Sequence, residues 1–256
     1  DIDKKHYTLK EEKELVNNTE NIIFKHIIND NKIIVITKEL ISSELDEIEK
    51  SNYFVSLIEN GKEIFVSELM TECFGEIICI KIYNNDIYVL GSRFFVIGLN
   101  EFFVARYDFS GNMINIKYYG GNLNETPKSI EFVDNYVYVV GDTVSERGEV
   151  CTNNKGSDTF IFKMDINNKL RMSDVKILGE EGNDTCYGSF VYNGFIYMIK
   201  HYILNDIKYP TIKLVKLDKE LNLISEKILD SGFNHNILGI KLENNEILIT
   251  RTKDND

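Results

Sequence analysis

Asp134-Asn135-Tyr136-Val137-Tyr138-Val139-Val140-Gly141 reads as a polar turn that runs directly into an apolar β segment. Asn and Asp tolerate the positive φ of a tight hairpin turn, and Val and Tyr favour a pleated, half-buried surface. The same phrase occurs four more times. Asn29-Asp30-Asn31-Lys32 precedes Ile33-Ile34-Val35-Ile36, and Asn84-Asn85-Asp86 precedes Ile87-Tyr88-Val89-Leu90-Gly91. Asn193-Gly194-Phe195 precedes Ile196-Tyr197-Met198-Ile199, and Asn244-Asn245-Glu246 precedes Ile247-Leu248-Ile249. The β runs begin at residues 33, 87, 137, 196 and 247, in steps of 54, 50, 59 and 51 residues.

Working outward, each turn has a β run in front of it (22–28, 77–83, 129–133, 188–192 and 237–242), which makes it the tip of a hairpin. A third run follows a loop of variable length (53–58, 102–108, 159–165, 211–218), then a polar turn, then a fourth run (63–67, 114–118, 175–178, 223–228). Four short strands repeated at a period near 50 residues are the signature of propeller blades. The fifth unit stops after two strands. Its missing pair is expected at the other end of the chain, where His6-Tyr7-Thr8-Leu9, a turn at Glu11-Glu12-Lys13, and Glu14-Leu15-Val16 follow the order of residues 53–65. The expected architecture is therefore an all-β, five-bladed propeller of four-stranded antiparallel sheets in a single domain, 1–256. Its blades are 22–70, 76–119, 128–179, 187–229 and 236–252 joined with 6–17, a two-plus-two closure that leaves no sheet edge open at the seam. An open sandwich of hairpins is the architectural alternative. A helical pattern is confined to residues 43–50, too short for more than a turn or two on a loop.

Composition narrows the function classes. A hydrophobic fraction of 43%, with 15 Phe and 14 Tyr, supplies a core and excludes a disordered chain. The net charge of −12 is spread along the sequence. Nucleic acid and anionic membranes require a basic face, so neither is an expected partner. No run approaches the roughly 18 apolar residues of a membrane-spanning helix. The chain opens on Asp1 rather than Met, as a mature or trimmed chain does, so the lack of a leader excludes no compartment.

The third repeat carries a family resemblance. Val137-Tyr138-Val139-Val140-Gly141-Asp142-Thr143, then Asp158-Thr159-Phe160-Ile161-Phe162-Lys163-Met164-Asp165, then Leu178-Gly179-Glu180-Glu181-Gly182-Asn183-Asp184 resembles the bacterial β-propeller repeat proteins. Repeat two keeps parts of the pattern (Tyr88-Val89-Leu90-Gly91, Phe103 to Asp108, Tyr119-Gly120-Gly121), and the others are more eroded. The resemblance implies a propeller and no activity, because the repeated residues of that family are structural. It also implies an extracellular or cell-envelope location, with the cytoplasm left open.

Candidate sites follow from the scaffold. Loops between blades and loops between second and third strands share one end of a propeller, and the variable insertions (38–52, 92–101, 143–157, 201–210) fall there. Phe94 and Phe95 lie on one of these loops, as an apolar contact for a partner or as an extension of the second strand. Tyr187, Tyr202 and Tyr209 are candidate stacking platforms. His235, flanked by Asn234 and Asn236, sits in the last interblade loop, where an imidazole can bind an anion or move a proton. Asp184 is a candidate polar contact at the channel mouth. Glu76, Glu131 and Glu243 are the inner-strand acids that a glycoside hydrolase would need in pairs. They occupy no common repeat position, and no nucleophile elbow, phosphate loop or metal spacing is present. No catalytic residue, metal or cofactor is assigned.

The four cysteines lack Cys-x-x-Cys spacing. Cys151 and Cys186 fall on loops of adjacent blades, which makes a disulfide between them one reading and two separate thiols the other. Cys79 aligns with Ser129, Gly188 and Gly239, a column of small residues near the axis. The leading expectation is a monomeric, non-catalytic module that binds a protein or glycan through the loops of one face. The alternatives are a glycoside hydrolase and a structural repeat domain of a longer surface protein.

Overall fold

The computed structural model describes residues 22–41, 50–73, 75–94, 99–152, 156–179, 182–203, 211–231, 237–243 and 246–251. They form eighteen strands and no helix. The first sheet is β1 (Ile22–Asn29), β2 (Lys32–Ile41), β3 (Lys50–Glu59) and β4 (Lys62–Cys73). The second is β5 (Gly75–Tyr83), β6 (Asp86–Phe94), β7 (Asn100–Asp108) and β8 (Met113–Tyr119). The third is β9 (Glu125–Val133), β10 (Tyr136–Thr143), β11 (Asp158–Asp165) and β12 (Arg171–Leu178). The fourth is β13 (Asn183–Tyr192), β14 (Phe195–Ile203), β15 (Thr211–Leu217) and β16 (Leu223–Ser231). A two-stranded hairpin, β17 (Ile237–Glu243) and β18 (Glu246–Arg251), follows. Each sheet is a meander in which neighbours in sequence are neighbours in space.

Among the described residues there are four four-stranded sheets where five were expected. The fifth unit is two-stranded among the described residues, and the segment expected to complete it, 6–17, lies outside them. So does most of the helical-looking stretch, 42–49. The hairpin tips follow the expected chemistry: Asn84 and Asn85 (φ 49° and 63°) and Asn193 and Gly194 (φ 50° and 75°) take the left-handed conformations that primed turns demand.

Two compact units make up the chain, residues 1–74 with 108–112 and residues 75–107 with 113–256. In the first, Ile34, Val35, Ile36, Tyr53, Val55, Leu57 and Ile58 are buried on the paired strands β2 and β3. In the second, the inner strands pack in chain order, β9 beside β5, β13 beside β9, and β17 beside β13. One apolar cluster joins Tyr88, Leu90 and Phe102 of the second sheet to Val139, Phe160 and Phe162 of the third. Phe102 stacks on Phe160 with ring centroids 5.4 Å apart and meets Phe162 edge-on at the same distance. Another cluster joins Tyr138, Val140 and Ile161 to Ile196, Met198 and Val215 of the fourth sheet. Each large side chain so buried contributes roughly 1.5–3 kcal/mol.

Candidate functional site

A register shift recurs in every inner strand. Ile77 and Cys79 of β5 oppose Gly91 and Leu90, which leaves Ile78 as an extra, bulged residue. Lys128 is the extra residue of β9, Tyr187 of β13, Leu238 of β17, and Ile23 of β1. The column of small residues predicted near the axis, Cys79, Ser129, Gly188 and Gly239, consists of the residues that immediately follow each bulge. A bulge re-aims the side chain it carries, and such sites are common beside binding and active centres. In β5, β9 and β13 the bulges lie three to four residues from the strand starts, and in β17 one residue from it, at the end where the loops gather. There the interblade segment meets the insertion between β10 and β11: Gly121 bridges Gly148, and Arg147 N–H donates to Asn122 Oδ1 at 2.8 Å.

Two adjacent bulges are joined by a polar cluster. The Asp142 carboxyl, on β10, accepts the Cys186 backbone N–H at 2.6 Å and stands 3.9 Å from the Lys128 ammonium. Burial pushes Asp142 up to about 7, against the pull of that N–H and of Lys128, while Asp184 adds to the rise. Next to Cys186, the Tyr187 hydroxyl is hydrogen-bonded to His201 Nδ1. Burial raises Tyr187 to about 12, with the Asp142 charge contributing, and lowers His201. Below them Asp184 and Lys200 form an ion pair at 2.9 Å, both nearly inaccessible, and the ammonium also donates to Leu178 O at 3.0 Å. Lys128, Asp142, Tyr187 and His201 thus place an ammonium, a carboxyl, a phenol and an imidazole in one contiguous patch.

Lys200 marks where the repeat has been rewritten. By register it occupies the place of Gly91 and Gly141. A Cβ at Gly91 would stand 2.3 Å from Phe103, and one at Gly141 would stand 2.8 Å from Phe160 and 2.5 Å from Thr126 O. In the fourth sheet Lys213 stands opposite Lys200, where Phe160 stands opposite Gly141. Removing the ring makes room for a buried lysine, and Asp184 supplies its counter-charge. No isolated motif announces this pair; the signal was the loss of Gly and Phe together from one repeat.

Of the other predicted residues, Phe94 is 41% exposed at the end of β6, and Phe95 lies outside the described residues. Asn234, His235 and Tyr209 also lie outside them. Tyr202 is on β14, with the Lys213 ammonium 4.5 Å from its ring centroid. Glu76 is exposed, while Glu131 is buried and accepts the Lys81 ammonium at 2.6 Å, which ties β9 to β5. Glu125, which sequence reasoning passed over, is buried and bonded to the Thr143 and Ser145 hydroxyls, and burial raises it. Among the described residues no cluster of His, Cys, Asp and Glu is placed to hold a metal.

Cys151 and Cys186 are not joined; both are free thiols. Cys186 belongs to the core between the third and fourth sheets, and its sulfur accepts the Gly188 N–H at 3.3 Å. Burial raises the thiol well above its ordinary range, the opposite of what a reactive cysteine requires.

No family model matches the sequence. The search of characterised proteins also returns no match. Among solved structures the chain is similar to an ACO/RPE65 chimera, with 12% identity over 86% of this chain and 52% of that one, TM-score 0.47. It is similar to a subtype N11 neuraminidase-like protein of A/flat-faced bat/Peru/033/2010 (H18N11), with 11% identity over 77% of this chain and 50% of that one, TM-score 0.44. A GH43 β-xylosidase/α-arabinofuranosidase from a compost microbial metagenome gives 13% identity over 90% of this chain and 84% of that one, TM-score 0.43. The chain spans about half the length of the first two.

Proposed function

We propose that this chain is a five-bladed β-propeller, its last blade completed by residues 6–17, that binds a polar partner, protein or glycan, at its loop-bearing end without turning it over. The patch of Lys128, Asp142, Tyr187 and His201 carries this reading, because bulges in neighbouring inner strands bring four chemically different side chains together beside the loops. A phenol and an imidazole offer stacking faces and hydrogen bonds, and an ammonium beside a buried carboxyl offers directed charge. Acids that a hydrolase would use are instead tied up within the scaffold, Glu131 by Lys81 and Asp184 by Lys200.

Binding to a glycan array and a peptide library tests the reading. Tyr187→Ala and Lys128→Ala should each weaken a specific interaction about tenfold or more, as expected of residues central to a contact, with the fold retained. A second reading, hydrolysis of a glycosidic bond, is favoured by one observation: Asp142 is held near pH 7 with a second carboxyl, Asp184, close enough to influence it. A carboxyl raised toward neutrality by burial, with a second carboxyl nearby, is the usual general-acid arrangement of that chemistry. Turnover in a glycosidase panel that disappears in Asp142→Asn or Asp184→Asn, but survives Tyr187→Ala, would overturn the binding reading.

A further inference from the structure

Five lysines of the second unit, Lys81, Lys163, Lys176, Lys200 and Lys219, each donate to an oxygen of the same unit at 2.6 to 2.9 Å. Lys128 does not. Its ammonium stands 3.9 Å from Asp142 Oδ2, beyond hydrogen-bond reach, and meets no other acceptor among the described residues, although its side chain is only 33% exposed. Asp142 is held back from it, because Oδ1 of that carboxyl accepts the Cys186 N–H at 2.6 Å and the Thr159 hydroxyl at 3.5 Å.

The backbone sets both Lys128 and its neighbour Tyr187 firmly in place. Pro127 precedes Lys128; it has no N–H for the ladder and a fixed φ, which suits a bulge. Strand β10 closes on it so tightly that a Cβ on Gly141 would stand 2.8 Å from Pro127 Cα. Tyr187 lies between Cys186, whose N–H Asp142 holds, and Gly188, whose φ of 141° favours glycine. The Tyr187 and His201 rings have centroids 5.0 Å apart and are tilted by 47°. Burial raises the phenol and lowers the imidazole, so both are neutral at pH 7. With the phenol donating to Nδ1, the neutral imidazole carries its own proton on Nε2. The patch thus offers an ammonium and an imidazole N–H, while the Asp142 and Asp184 carboxyls are engaged on the Cys186 N–H and the Lys200 ammonium.

We infer that this patch takes a sugar bearing a carboxylate, a uronic acid unit of a glycan, with the carboxylate on the Lys128 ammonium and the ring against Tyr187 and His201. The inference rests on the binding reading above and names its ligand class. Donors whose neighbouring carboxyls are already engaged select an anion. A chain of net charge −12 repels a densely charged polymer, so the fitting ligand carries single, spaced charges. A ring with hydroxyls uses the aromatic faces, the phenol and the imidazole together, which the acidic side chain of a peptide leaves unmet. Asp142 sets the pH response. It is faced by Lys128 of β9, Thr159 of β11, and Asp184, Cys186 and Tyr187 of β13, with Lys200 and His201 of β14 next to these. When Asp142 takes up a proton, Lys128 loses its neighbouring carboxylate and turns more strongly to an anionic ligand.

Calorimetric titration of the full chain with a short oligogalacturonide, its methyl ester and an oligoglutamate peptide of equal charge provides the test. The acid sugar should bind about tenfold tighter than the ester, as a charge-assisted contact does, and Lys128→Met should bring it down to the affinity of the ester. Asp142→Asn keeps an acceptor for the Cys186 N–H and removes the competing charge. It should tighten the acid sugar about threefold at pH 8, and the wild type should tighten by a similar factor between pH 8 and pH 6 while the variant stays level. This gain keeps the test decisive should Lys128→Met disturb the fold. Equal affinity for acid and ester would overturn the carboxylate contact, and preference for the peptide would overturn the sugar. Binding of neither sugar overturns the inference outright, whereas the binding reading itself falls only when the wider glycan array and peptide library are blank as well.

Discussion

Asp142 shows how one buried carboxyl can be both a structural cap and a titrating group. It holds the N–H of Cys186 beside the Tyr187 bulge, and it does so at 8% exposure. Its folded-state value is raised from 3.8 to about 7, so the folded chain keeps a proton that the unfolded chain has released. The linkage therefore favours folding fully below about pH 4, fades as pH rises from about 4 to 7, and is gone above that. His201 acts in the opposite sense, since burial lowers it and acidification charges it more readily in the unfolded chain. Asp142→Asn keeps an acceptor for the N–H and removes the titration. The wild type should gain thermal stability relative to this variant as pH falls from 7.5 to 5, read as a growing difference in Tm. Parallel Tm curves over that range would show that the carboxyl does not titrate there.

At the level of the strand, much of the register was legible because it is written in residues with strong backbone preferences. Asn at positive φ fixed the hairpin tips, and Gly91 and Gly141 fixed where Phe103 and Phe160 cross the second strands. Gly141→Ala should cost about 1–3 kcal/mol, the usual range for overpacking, measured as a lowered denaturation midpoint at unchanged m-value. A neutral result would mean that the Phe160 ring can move aside. The bulges were not legible, because a bulge is a property of pairing and not of composition: the extra residues Ile23, Ile78, Lys128, Tyr187 and Leu238 range from aliphatic to cationic to aromatic. Of the two readings of Cys151 and Cys186, a bond or two separate thiols, the structure has two separate thiols. Loop proximity suggested the bond, but two-residue alternation along β13 turns Asp184 and Cys186 inward together. Fourth strands carry bulges too, with Ile64, Ile114 and Ile224 as the extra residues, and each of these is about half exposed. Such distortions at an outer strand twist it away from unwanted pairing, which accounts for large apolar side chains on the surface.

The whole molecule repeats this division between a guarded rim and a packed interior. Strands β6, β10 and β11 are almost continuously buried, while β8, β12 and β16 are mostly exposed. Hydrogen exchange should therefore rise and fall along the sequence with a period near 50 residues, slowest in second and third strands and fastest in fourth strands. Protection that instead declines smoothly toward one end of the chain would show that opening follows position and not the repeat. The recurrent inner-strand bulge has a further consequence for how such a molecule can change. Because the extra residue stands outside the ladder in these strands, its side chain can change without breaking a backbone pair or a hairpin tip. The scaffold thus offers one freely spelled letter per repeat, currently Ile, Ile, Lys, Tyr and Leu, and a new specificity can be written in those five positions while the rest of the text stays fixed.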